Sequence, residues 1–158
     1  MRNYINMFKL LLISCYIAMS HQGRTPLEIR QYMLTQSIEC TQTNFLNSSE
    51  LQMLMNHELP NTKSSKCFIA CIFKKMGWLN DKGMYDQDAA NKFAEEEYVD
   101  DATQLENAKK LFDICKPVND ETPEDGEAGC DRANSLARCL IDNAPKMGFH
   151  IALGEQSQ

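Results

Sequence analysis

The stretch Lys66-Cys67-Phe68-Ile69-Ala70-Cys71-Ile72-Phe73-Lys74-Lys75-Met76-Gly77 restricts the fold more tightly than any other part of the chain. Apolar residues recur at 68, 69, 72, 73 and 76, the rhythm of one helix face. Gly77 offers the left-handed conformation that ends a helix. Cys67 and Cys71 lie four residues apart, about 40° around the axis, so both thiols leave from one face. Cysteines so placed do not bridge each other comfortably and must reach other segments. One helix therefore carries two anchors, and the rest of the chain has to arrange itself around it.

The first residues are read as a leader. Arg2 and Lys9 precede Leu10–Ala18, an apolar run too short to span a bilayer. Ala18-Met19-Ser20 then supplies small residues for signal cleavage after Ser20. Residues 1–20 are expected to be a signal peptide and 21–158 one domain of a secreted, extracellular protein. Removing the leader takes away Arg2 and Lys9 and no acid, which moves the formal charge from −6 to −8. An acidic surface of that kind argues against nucleic acid and anionic membranes as partners. Cys15 leaves with the leader, so six cysteines remain: Cys40, Cys67, Cys71, Cys115, Cys130 and Cys139. An even number in an oxidising compartment predicts three disulfides, and counting alone leaves fifteen pairings open.

Helical signals fill the remainder. Thr25-Pro26-Leu27-Glu28 is a capping box with proline at the first helical position. It opens a helix through Cys40 towards Phe45, with Leu27, Leu34, Ile38 and Phe45 expected along one stripe. Asn47-Ser48-Ser49-Glu50 opens a second helix, Leu51 to Leu59, which Pro60 ends. The same asparagine matches the glycosylation acceptor pattern. The central helix follows, and Trp78-Leu79 leads into an Asn80–Gly83 turn. Asp86 caps a fourth helix carrying Ala89, Ala90, Phe93 and Tyr98. Asp100 or Asp101 starts a fifth, with Leu105, Ala108, Leu111, Phe112 and Cys115 on one face, and Lys116-Pro117 stops it. Residues 119–129 read as an acidic exposed loop, and Cys130 to Ile141 as the last helix. No alternating β pattern occurs, so the fold class is all-α. Cys130 and Cys139 are nine apart, about two and a half turns, and point to opposite sides of the last helix.

The cysteines read C-x26-C-x3-C-x43-C-x14-C-x8-C. This spacing resembles the insect odorant-binding protein family, with x3 between its second and third cysteines and x8 between its last two. The segment Cys67 to Gly83, with its helix, large residues and Asp-Lys-Gly turn, is similar to the matching segment of that family. The resemblance implies a compact six-helix, disulfide-tied domain around an apolar cavity. It also implies the pairing Cys40–Cys71, Cys67–Cys130 and Cys115–Cys139. Met33, Leu54, Ile69, Phe73, Leu79, Phe93, Phe112, Leu136 and Leu140 fall at positions that line the cavity in the family. Core packing is the alternative reading of each of them. Tyr32, Tyr85 and Tyr98 are candidates for orienting a ligand.

Catalysis and metal binding find little in the residues. Cys-x3-Cys lacks a second short-spaced pair for zinc. His21, His57 and His150 form no His-x3-His pair, and there is no Gly-x-Ser-x-Gly nucleophile turn or phosphate-cradling loop. No enzyme activity, cofactor or metal is expected. The reading is a secreted carrier of small hydrophobic ligands such as odorants or pheromones. The alternatives are a carrier in non-olfactory secretions and a solid-core interaction module. The implied partners are the hydrophobic ligand and a membrane chemoreceptor, without stable membrane insertion, for a monomer or weak homodimer. Six methionines outside the leader suit an adaptable interior. The tail residues Phe149, His150 and Ile151 are expected to form a lid, with His150 as a pH-sensitive element.

Overall fold

The computed structural model describes residues 23–56 and 58–149. The expected leader, all three histidines and Ile151 lie outside them. Six α-helices succeed one another: α1 (Pro26–Thr41), α2 (Ser48–Met55), α3 (Lys63–Lys75), α4 (Gln87–Glu97), α5 (Ala102–Cys115) and α6 (Cys130–Asn143). Short 3-10 turns cover Lys116–Asp120, Gly126–Ala128 and Ala144–Met147. The only β-type pairing among the described residues is an isolated bridge between Leu79 and Tyr85. The fold is all-α.

Five of the six helices start on side-chain caps that relieve unpaired backbone donors. Thr25 Oγ1 accepts from Glu28 N at 3.3 Å while Glu28 Oε2 takes Thr25 N at 2.7 Å. Asn47 and Glu50 repeat the box for α2, with both bonds at 2.9 Å. Thr62, Asp86 and Asp101 cap α3, α4 and α5. The cap of α6 comes from further away. Gly129 has no side chain to give, and Asp125 Oδ2 reaches over to accept from Cys130 N at 2.5 Å and Asp131 N at 3.3 Å.

The central helix α3 packs chiefly on α6 and next on α1, while α4 lies on α5 and α5 on α6. Three disulfides reinforce these pairs, Cys40–Cys71, Cys67–Cys130 and Cys115–Cys139, with Cα separations of 5.8, 4.4 and 5.7 Å. These are the pairs that the resemblance implies. They join α1 to α3, α3 to α6 and α5 to α6. Lys66 adds an ion pair across α3 and α6, 2.9 Å from Asp131 Oδ1. The core gathers Phe68, Ile69, Phe73, Trp78, Leu79, Leu111, Phe112 and Leu136, closed by small alanines at 90, 94, 108 and 133.

The structure corrects several local expectations. Leu27, Leu34, Ile38 and Phe45 are exposed by 61%, 51%, 63% and 81%, so that stripe of α1 faces outward. The reason lies in Cys40. Its disulfide to Cys71, with no exposure of Cys40 itself, fixes which side of α1 meets α3. The inward side then carries Ile29, Tyr32 and Met33, each half-buried. Helix α1 ends at Thr41 and α2 at Met55, short of Phe45 and Leu59. Pro117 does not end the helical path outright; the chain tightens into the Lys116–Asp120 turn. That turn also puts Asn119 to use: its side chain accepts from Tyr85 N and donates to Tyr85 O, both at 2.8 Å.

Candidate ligand-binding site

Trp78 stands at the centre of an aromatic cluster. Its ring lies 5.7 Å from that of Phe73, 5.6 Å from Phe93 and 5.2 Å from Phe112. Offset and edge-on contacts at such distances satisfy the ring quadrupoles. Phe93 continues the cluster to Tyr32 on α1, 6.3 Å away. The Arg24 guanidinium covers this outer end, 4.3 Å above the Tyr32 ring and 5.7 Å from that of Phe93. Arginine suits the place because it is flat, permanently charged and weakly hydrated.

Arg24 belongs also to a cleft of about 550 Å³ lined by Gly23, Arg24, Ile29, Glu97, Tyr98, Asp100, Asp101, Gln104, Gly148 and Phe149. Three pieces of chain build it: the approach to α1, the α4–α5 junction and the tail. Gly23 is required on the first side, since a Cβ there would come within 2.2 Å of Glu97 O. On the tail side, Asn107 Nδ2 donates to Met147 O at 3.2 Å and Phe149 N to Ala144 O at 3.0 Å. Gly148, at φ 80°, turns the chain between them. Phe149 then sits with its ring 6.0 Å from Tyr98.

Glu97, the last residue of α4, is the unusual group of the cleft. Its side chain is 1% exposed and its Oε1 stands 2.5 Å from an Arg24 nitrogen. Its Oε2 has no aligned hydrogen-bond partner among the described residues. Burial pushes this carboxyl above the usual carboxylate range, and the Arg24 charge pulls the other way. Burial likewise raises the Tyr98 phenol.

Among the nine residues expected to line a cavity, Ile69, Phe73, Leu79, Phe112 and Leu136 are buried in the core. Leu54, Phe93 and Leu140 pack half-buried against it, and Met33 is half-buried on α1. None of the nine lines the cleft, whose walls come from other residues. Tyr98 and Phe149 do line it, whereas Tyr32 lies beneath Arg24 and Tyr85 is buried at 4% exposure. Sequence reading passed over Arg24, Glu97 and Trp78. A signal for Glu97 did exist, because it shares the buried face of α4 with Ala90 and Ala94 at helical spacing. Among the described residues no three His, Cys, Asp or Glu side chains are grouped to hold a metal ion.

Six disulfide-tied helices around an aromatic interior, with an acidic cleft at one end, define a disulfide-tied helical class of small domain. The model of the PBP/GOBP family matches residues 24–143, and the chain belongs to that family. General odorant-binding protein 19d of Drosophila melanogaster is 23% identical over 152 residues, covering 96% of this chain and 98% of the relative. The solved odorant-binding protein 28a of the same fly superposes with a TM-score of 0.61 at 24% identity, covering 77% of this chain and 96% of that one. A pheromone-binding protein from the cockroach Leucophaea maderae, solved with the fluorescent reporter ANS, gives a TM-score of 0.57 at 18% identity, covering 75% and 97%. Those two likenesses establish the fold.

Proposed function

We propose that this chain is a secreted carrier that binds small hydrophobic molecules, odorants or pheromones among them, and transports them without chemical change. The observation that carries the reading is the cleft, which leads to the aromatic cluster through Arg24. Its volume of about 550 Å³ falls within the range of sites for small organic ligands. Family membership and the names of the relatives support the same reading.

An apolar ligand gains by leaving water, at about 25 cal/mol per Å² of buried apolar surface. Phe93 and Trp78, with Phe73 and Phe112 behind them, form the wall its apolar body meets once Arg24 moves aside. The remaining residues of the expected lining hold that wall in place. Phe149 acts as part of a lid at the outer end. The described helices include none long and apolar enough to cross a membrane, in keeping with a carrier that works in aqueous secretion.

Titration with N-phenyl-1-naphthylamine, a neutral apolar fluorophore, tests the proposal. Saturable micromolar enhancement that long-chain odorants reverse is the expected result. The absence of saturable binding to probe and odorants alike would make the chain a solid-core module.

A further inference from the structure

Two buried acceptors on the cleft have no aligned hydrogen-bond donor among the described residues. Glu97 is buried with its Oε1 paired to Arg24 at 2.5 Å, while its Oε2 has no aligned partner among the described residues. Gln104 Oε1, from the first turn of α5, is also buried without a partner. Asp101, by contrast, is occupied, since its Oδ1 caps Gln104 N at 2.9 Å. Buried acceptors in folded proteins nearly always have partners, and an unpaired one is costly. Two such atoms on one cleft, Glu97 Oε2 and Gln104 Oε1, describe the complement of a donor. The charge has the same sense, with Glu97, Asp100 and Asp101 lining that cleft beside the guanidinium of Arg24. Beside these groups the walls are apolar: Ile29, Tyr98 and Phe149.

We propose that Glu97 and Gln104 form a headgroup subsite that selects apolar ligands carrying a hydrogen-bond donor, a primary amine first and a primary alcohol second, over aldehydes and carboxylates. The inference rests on the carrier reading and specifies its ligand class. An ammonium brings three N–H donors and a positive charge to Glu97 Oε2 and Gln104 Oε1 in an acidic cleft. A hydroxyl brings one donor. An aldehyde brings none, and a carboxylate brings a second negative charge against Glu97.

Competition against N-phenyl-1-naphthylamine at neutral pH tests this with four ligands of equal chain length: decylamine, 1-decanol, decanal and decanoate. The wild-type chain is expected to prefer decylamine over decanal by about tenfold or more, the scale of one charge-assisted hydrogen bond. Decanol should fall between them and decanoate last. In Glu97→Gln the ratio of decylamine to decanal affinity should drop by about tenfold, because the charge is gone. Gln104→Met should lower the decanol-to-decanal ratio. Ratios are the readout because a general loosening of the fold shifts all four ligands together. Should Glu97→Gln fail to fold, the wild-type order and Gln104→Met decide. Equal displacement by all four ligands, or an unchanged order in the folded variants, overturns the subsite and leaves the carrier reading intact. Failure of the probe and all four ligands to bind overturns both.

Discussion

Gly83 and Gly129 meet backbone to backbone, both at positive φ, where the turn after Trp78 touches the start of α6. A Cβ on Gly83 would come within 2.8 Å of Gly129 Cα and 2.9 Å of Glu127 O. Gly77 also has positive φ, but its nearest neighbour would be Ala89 Cβ at 3.9 Å. Gly83→Ala should therefore cost clearly more stability than Gly77→Ala, itself expected to lose about 1 kcal/mol for its backbone conformation. Urea unfolding of the two variants checks the order; equal losses would show that the close approach relaxes freely. Glu50 makes a second residue-scale prediction. Its carboxylate takes hydrogen bonds from Thr62, Asn47 N and Ser64, and these hold its pKa below the usual range, the Thr62 hydroxyl contributing most. A lowered carboxyl pKa stabilises the fold above the unfolded value, roughly 4.3, and that contribution is lost as pH falls through the folded value. Glu97 has the opposite sign: its raised pKa makes stability fall as pH rises from the unfolded value to the folded one. Glu50→Gln should flatten the acid side of a stability-against-pH curve, measured by denaturant unfolding between pH 3 and 7. An acid limb as steep as in the wild type would remove Glu50 from that role.

At the scale of elements, α3 and α6 form the pair on which the others depend. Their bridge, Cys67–Cys130, spans 63 residues, against 31 for Cys40–Cys71 and 24 for Cys115–Cys139. In the chain-entropy account these loops are worth roughly 4.3, 3.7 and 3.4 kcal/mol. Replacing both cysteines of each bridge by alanine in turn should lower stability most for the first, as read by denaturant midpoints. Equal or reversed losses would show that local packing outweighs loop length. The tail turn supplies another test. Asn107 and Gly148 bring Phe149 onto Tyr98 at the rim of the cleft. Phe149→Ala should weaken fluorophore binding by about 1–2 kcal/mol and speed its release, given a half-buried aromatic ring. Stopped-flow displacement gives the release rate, and rates equal to wild type would place Phe149 outside the lid.

The whole molecule has a graded interior. Leu136, Ala133 and, on α4, Ala90 and Ala94 form a dense layer without exposure, while the aromatic cluster runs from Trp78 outward to Tyr32 and ends under Arg24. Arg24 therefore separates the apolar interior from the polar cleft. Removing it in Arg24→Met should leave Glu97 as an uncompensated buried charge and destabilise the fold near neutral pH by about 1–3 kcal/mol, less than for a fully buried pair because the Arg24 side chain is 37% exposed. The same variant should regain stability in acid, as Glu97 becomes protonated. A melting temperature that does not depend on pH in this variant would contradict the pairing.

Much of this was legible in local residues because capping is a local matter. Thr25, Asn47, Asp86 and Asp101 announce helix starts by hydrogen bonds to donors a few positions away, and the structure uses all four. The face of α5 with Ala108, Leu111, Phe112 and Cys115 was likewise readable from its period and is buried. Helix α1 was not, since apolar residues occur on both its sides and only the bridge at Cys40 selects one. Nor was the cleft, whose walls come from residues near 24, 98, 104 and 149, with no spacing rule to relate them. Composition and periodicity by themselves determined an all-helical chain built on one doubly anchored helix. Tertiary structure alone decided which side of α1 is inside, and that Arg24 and Glu97 face one another. Helix caps and amphipathic faces depend on neighbours within a turn or two, whereas a cleft depends on how distant segments are docked.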